Sequence, residues 1–147
     1  MPGITVTNSA AGPTLNVLIG PSIPLQQALQ AAGMVPPPPV AGLFLVDTGA
    51  SHTVVDGNLI RPLCLSPTGT VMIHTPSTGG NAVPMYQFDL MIYVPGASPG
   101  VGWLIDALPV TASSFDGQSI DGLIGRDILD RGLLVYNGSA GHFTLAY

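Results

Sequence analysis

Leu43-Phe44-Leu45-Val46-Asp47-Thr48-Gly49-Ala50-Ser51 runs four apolar residues directly into Asp-Thr-Gly. A short apolar run bounded by turn formers reads as a buried β-strand. An aspartate at the end of such a strand is costly unless its oxygens are hydrogen-bonded. Gly49 lets the backbone turn tightly and approach another segment closely, and Thr48 offers a hydroxyl able to bond across that approach. Taken alone, the tripeptide also fits an ordinary turn opened by Asp and closed by Gly.

Outward from this stretch the chain alternates short runs of Val, Ile, Leu and Thr with clusters of Gly, Pro, Asn and Ser, the pattern of an all-β domain. Strands are expected at Ile4–Thr7, Thr14–Ile19, Leu43–Val46, Thr70–Thr75, Val83–Val94, Trp103–Val110, Gly122–Ile124, Leu133–Asn137 and His142–Ala146. Within the fifth, Met85–Val94 alternates in polarity and reads as half-exposed. Two helical pieces stand out. Pro24–Ala32 begins with Pro and ends at Gly33, and Arg126–Arg131 is a short turn stopped by Gly132. Between Pro24–Ala32 and the Asp47 strand, Pro36–Pro39 is expected as an extended polyproline loop. With 147 residues and no internal repeat, the chain is expected to be one domain.

A second stretch changes the weight of the first. Asp121-Gly122-Leu123-Ile124-Gly125-Arg126-Asp127-Ile128-Leu129 is an apolar strand, a glycine and a charged helical turn. Together, Asp47-Thr48-Gly49-Ala50 and Leu123-Ile124-Gly125-Arg126-Asp127 resemble, in order and spacing, the paired motifs of the retropepsin family: retroviral proteases and their cellular and bacterial relatives. The family's flap has a counterpart in Val71–Thr75, a tip from Pro76 to Asn81 containing Gly79 and Gly80, and Ala82–Val94. The resemblance runs from about Thr14 to the end. It implies a small closed β-barrel with one short C-terminal helix and a flap hairpin. It also implies an aspartic endopeptidase with Asp47 as catalyst, supported by Thr48 and Gly49. By the same resemblance Gly49 offers its carbonyl to the substrate backbone, Ala50, Val54 and Leu123 line side-chain pockets, and Gly79 and Gly80 lie over the substrate. Gly125, Arg126 and Asp127 then form the structural motif, and no cofactor is implied.

The sequence departs from the family in two places and resembles it weakly in a third. Retroviral members often follow Asp-Thr-Gly-Ala with an acidic residue that pairs with the motif arginine; here Ser51 and His52 stand there, so Arg126 is expected to turn to Asp127, Asp130 or a carbonyl of a second subunit. Residues 21–42 form a longer, helix- and proline-bearing insertion. At the termini, Pro2–Val6 and Phe143–Tyr147 look like the strands that interleave between subunits in retroviral dimers, and equally like ordinary edge strands.

Hydrolysis by this chemistry takes two carboxylates sharing a proton, and the chain holds a single Asp-Thr-Gly. Asp56-Gly57, Asp116-Gly117 and Asp121-Gly122 lack the intervening hydroxyl residue and read as turns. A homodimer is the economical source of the second aspartate. The substrate is then an extended peptide or unfolded protein, lying as a strand between flap and floor.

Composition narrows the field further. Charged residues are 7% against 46% hydrophobic, with no Lys and no Glu, and the only strong bases are Arg61, Arg126 and Arg131. No basic patch marks a nucleic-acid partner, and 19 Gly and 15 Pro break every apolar run before it reaches a membrane-spanning length. His52, His74 and His142 have no ligand-like spacing, so no metal site is expected. Cys64, within Leu63-Cys64-Leu65, is expected as a buried, inert core thiol. The competing readings are a non-catalytic dimeric peptide-binding module, or a structural β-domain, with the same fold.

Overall fold

The computed structural model describes residues 1–147. Ten strands, β1 (Gly3–Thr7), β2 (Thr14–Pro21), β3 (Val40–Val46), β4 (Val54–Asp56), β5 (Gly69–Ile73), β6 (Val83–Pro95), β7 (Gly102–Ser113), β8 (Gly122–Ile124), β9 (Leu133–Asn137) and β10 (His142–Ala146), are joined by short helices α1 (Ile23–Ala31), α2 (Gly57–Ile60) and α3 (Arg126–Leu129). Two short 3-10 turns, Arg61–Leu63 and Pro76–Thr78, complete the set.

The larger sheet runs β2-β3-β8-β4-β7-β6-β5, and β2 also pairs with β6. That extra pairing, from Leu18↔Tyr93 to Pro21↔Leu90, closes six of the strands into a barrel and leaves β5 hanging from β6 as the outer arm of a hairpin. Most pairings are antiparallel, but β3–β8 and β4–β7 are parallel. Parallel neighbours need long connections, and these bring residues 44–46 against 122–124 and residues 54–56 against 111–113.

The barrel is filled by alternate residues of its strands. Leu15, Val17 and Ile19 of β2, Phe44 and Val46 of β3, Val55 of β4 and Ile124 of β8 point inward to one cluster that also takes Phe143 and Leu145 of β10. Phe44, Ile124 and Phe143 are fully enclosed. The expected alternation along Met85–Val94 holds only in part. Leu90, Met91 and Ile92 are all buried, because the β6–β7 register shifts between Leu90 and Ile92. An extra residue at such a shift lets consecutive side chains be covered.

A second, three-stranded sheet has the order β1-β10-β9. The two terminal strands do pair, in register from Gly3↔Ala146 to Thr7↔His142, but with each other in one chain. Beyond β10, Tyr147 stacks on Trp103 with ring centroids 5.0 Å apart, and burial, with a smaller contribution from Tyr93, raises its phenol above the ordinary tyrosine value.

In the insertion, Ser22 caps α1 by accepting from the Leu25 N–H at 3.4 Å, and the helix runs out at Gly33, φ +75. None of its nine residues is buried. Cys64 corrects the sequence expectation: its side chain is exposed. The Arg61–Leu63 turn ends there with Cys64 at φ 53, a left-handed conformation that sends Leu63 into the core and the thiol outward. Strand β4 and helix α2 were not expected at all.

Candidate active site

Asp47 follows the last residue of β3. Its N–H donates to the Ile124 carbonyl of β8 at 3.0 Å, continuing the parallel ladder one step beyond Val46↔Ile124. The loop then folds back on the carboxylate. The Gly49 N–H donates to Asp47 Oδ1 at 2.8 Å, and the Ala50 N–H to the Asp47 carbonyl at 3.2 Å. Oδ2 takes no hydrogen bond from the chain. The side chain is half-buried, while Thr48 and Gly49 are exposed. A carboxylate with one oxygen held and the other open is oriented yet able to exchange a proton with a bound group.

Two neighbouring residues hold this loop from below. Arg126 donates to the Thr48 carbonyl at 2.8 Å and to Ser51 Oγ at 3.0 Å, and its N–H donates to the Ala50 carbonyl at 2.9 Å. Within the chain, the expected partners Asp127 and Asp130 are therefore replaced by a carbonyl and a hydroxyl. Ser51, shorter and uncharged, serves where an acidic residue was looked for.

Asp127 grips the far end of the loop. Its Oδ2 accepts from the Thr53 N–H at 2.8 Å, and its Oδ1 from the Thr53 hydroxyl at 2.7 Å and the Ile128 N–H at 3.0 Å. The Thr53 hydroxyl in turn accepts from the Gly125 N–H at 3.1 Å. Thr53 is wholly buried, so leaving its N–H or hydroxyl unpaired is costly. Gly125 allows the approach. A Cβ there would lie 2.5 Å from the His52 carbonyl carbon and 2.9 Å from Thr53 N.

Beside the loop, Leu45, Leu123 and Val54 are register neighbours across β3, β8 and β4. All three are half-buried, whereas Val46, Ile124 and Val55 between them face the core. The result is a partly open apolar row next to Asp47. Leu45 and Thr53 were missed by the sequence reading. The signal for Thr53 was a polar residue directly before an apolar pair, Val54-Val55. Gly79 and Gly80 lie apart, at the tip of the β5–β6 hairpin, with φ of +61 and +83 and nothing within 4 Å of an added Cβ.

No family model matches the sequence, and no curated protein matches it either. A solved structure does: the crystal structure of a retropepsin-like aspartic protease from Rickettsia conorii, TM-score 0.60 at 16% identity, over 99% of this chain and 90% of that one. The chain has the retropepsin-like fold. Within that fold, the barrel, the hairpin arm and the short helix after Gly125 agree with the architecture expected from the paired motifs. Two other Asp-Gly carboxylates have structural partners: Asp121 accepts from the Leu43 N–H at 2.8 Å and Asp56 from the Asn58 N–H at 3.0 Å. No group of three or more His, Cys, Asp or Glu residues is placed to hold a metal ion, and no helix is long and apolar enough to cross a membrane.

Proposed function

We propose that the chain is an aspartic endopeptidase whose active site is completed by a second copy, each contributing one Asp47. The observation that carries this reading is the Asp47 loop itself. A half-buried carboxylate with one oxygen open stands at the end of a core strand, clasped by Arg126 and Asp127, within a retropepsin-like fold. Such a clasp holds a reacting group in place; a turn with no chemical role needs none of it.

In the proposed reaction the two Asp47 carboxylates share one proton. The ionised one takes a proton from water as it attacks the peptide carbonyl, and the protonated one gives its proton to the carbonyl oxygen. One carboxyl group of the two must carry a proton for the reaction, so activity is expected at acid pH. Leu123 and Val54 line apolar subsites, with Leu45 added to them; Ala50 lies against the substrate, Gly49 offers its carbonyl, and the β5–β6 hairpin with Gly79 and Gly80 closes as a flap.

The second copy has a free edge to meet. In this reading β1 and β10 stay paired within one chain. The outer edge of β9 is unpaired, and Leu133, Val135 and Tyr136 there are about half exposed. An unpaired apolar edge without Lys or Pro invites strand pairing, and antiparallel pairing of a strand with its own copy is self-complementary about a twofold axis.

The test is cleavage of an unfolded protein at acid pH, blocked by a statine-type inhibitor and insensitive to a chelator, with specific activity followed against enzyme concentration beside sedimentation. Activity should fall as the dimer dissociates. Constant specific activity at concentrations where only monomer sediments would overturn the shared site.

A further inference from the structure

A cavity of about 480 Å³ lies away from the Asp47 loop, between the insertion and residues 63–68. One wall is apolar: Leu25 and Leu29 of α1, then Met34, Val35 and Pro37. Leu63, Cys64 and Leu65 face it across the cavity, and Ser66, Thr68 and Asp89 add a polar border. The Thr68 N–H donates to the Gln87 carbonyl at 2.8 Å, so this border lies where the β5–β6 hairpin leaves the barrel.

Three observations point to an occupant. The volume falls within the few hundred cubic ångströms usual for small-molecule sites. Leu25, on a helix that buries none of its residues, is 38% exposed, and Met34 and Val35, just beyond that helix, are 58% and 91% exposed, so the apolar wall faces open space. Asp89 is the single charged residue of the lining and makes no hydrogen bond or ion pair within the chain. An unpaired carboxylate beside aliphatic walls, in a protein of net charge −5, is complementary to a cation carrying an aliphatic body.

We infer that this cavity is a binding site for small aliphatic cations, with the alkyl portion between α1 and Leu63–Leu65 and the cationic head at Asp89. The inference is independent of proteolysis. The ligand touches the hairpin root rather than the Asp47 loop.

Cys64 supplies the readout, because it lines the cavity, is exposed and is the chain's one cysteine. The experiment follows N-ethylmaleimide labelling of the whole protein at neutral pH with n-decylammonium, decanoate or decan-1-ol present below their micelle-forming concentrations. Decylammonium should slow labelling by about tenfold at saturation, and an exposed charge contact makes decanoate and decanol weaker ligands by about threefold or more. Asp89→Asn should remove the preference for the cation while leaving decanol protection unchanged. Leu29→Trp, which fills the cavity, should abolish protection by all three while the far-ultraviolet circular dichroism stays that of the parent. No protection by decylammonium at 1 mM, decanoate protecting as well as decylammonium, a preference that survives Asp89→Asn, or protection that survives Leu29→Trp would each overturn the site.

Discussion

The Asp47 loop and the tip of the β5–β6 hairpin are both short, glycine-bearing connections, yet they are held in opposite ways. The Asp47 loop is bonded to a distant part of the chain. Arg126 and Asp127 reach residues 48, 50, 51 and 53, and a Cβ on Gly122 or Gly125 would come within 2.5 Å of the Val54 oxygen or the His52 carbonyl carbon. The hairpin tip is bonded to itself. The Thr75 N–H donates to Thr78 Oγ1 at 3.2 Å, and the Thr78 hydroxyl returns a bond to the Thr75 carbonyl at 2.8 Å. Glycine is needed in the first region for close approach and in the second for positive φ. One region suits a fixed chemical group and the other a part that moves.

The largest effect expected from this contrast is at Asp47 itself. Asp47→Asn should lower peptide hydrolysis by about 10³-fold or more while thermal unfolding stays close to that of the parent. Residual activity within tenfold would remove Asp47 from the chemistry and leave the clasp without a purpose. Next comes Gly125→Ala, which drives a methyl group into the His52–Thr53 backbone and should cost about 2–3 kcal/mol of stability, read from denaturant midpoints at unchanged slope.

Thr53→Val keeps the shape but leaves an oxygen of Asp127 and the Gly125 N–H without the buried hydroxyl. A loss of about 1–3 kcal/mol is expected, with kcat falling and KM nearly unchanged if the clasp positions Asp47. An equal rise in KM would point to a distorted substrate floor instead. The smallest effect belongs to the tip. Gly80→Ala meets no atom but must hold φ near +83, and should cost only about 1 kcal/mol. A tip variant as damaging as Gly125→Ala would erase the contrast.

What could be read from the sequence followed the same division. The apolar strand entering Asp47 and the Leu123–Asp127 stretch carry their meaning in local pattern, so the barrel, the helical turn and the loop residues were legible. Strand β4 was not, because three residues give no periodicity and its partner β7 pairs with it in parallel from 57 residues away. Cys64 misled because Leu-Cys-Leu looks like core, while its burial is decided by a left-handed backbone angle at the end of a 3-10 turn. The partner of Arg126 was hidden for a different reason. A backbone carbonyl has no letter in the sequence, so Thr48 was visible as a hydroxyl and invisible as the acceptor that Arg126 uses.

Seventy-eight residues separate Thr48 from Arg126, and β3 meets β8 only across a similar span. Contacts of such long separation form late, after most of the loop-closure entropy has been met. During synthesis, a growing chain that has exposed Asp47 but not yet Gly125–Asp127 has an unclasped carboxylate on an open strand edge. Under the proposed reading, a protease built this way is silent while Asp47 emerges and becomes competent only after Gly125–Asp127 has folded back and a second copy has joined, so the order of synthesis itself guards the chain against cutting what is still unfolded around it.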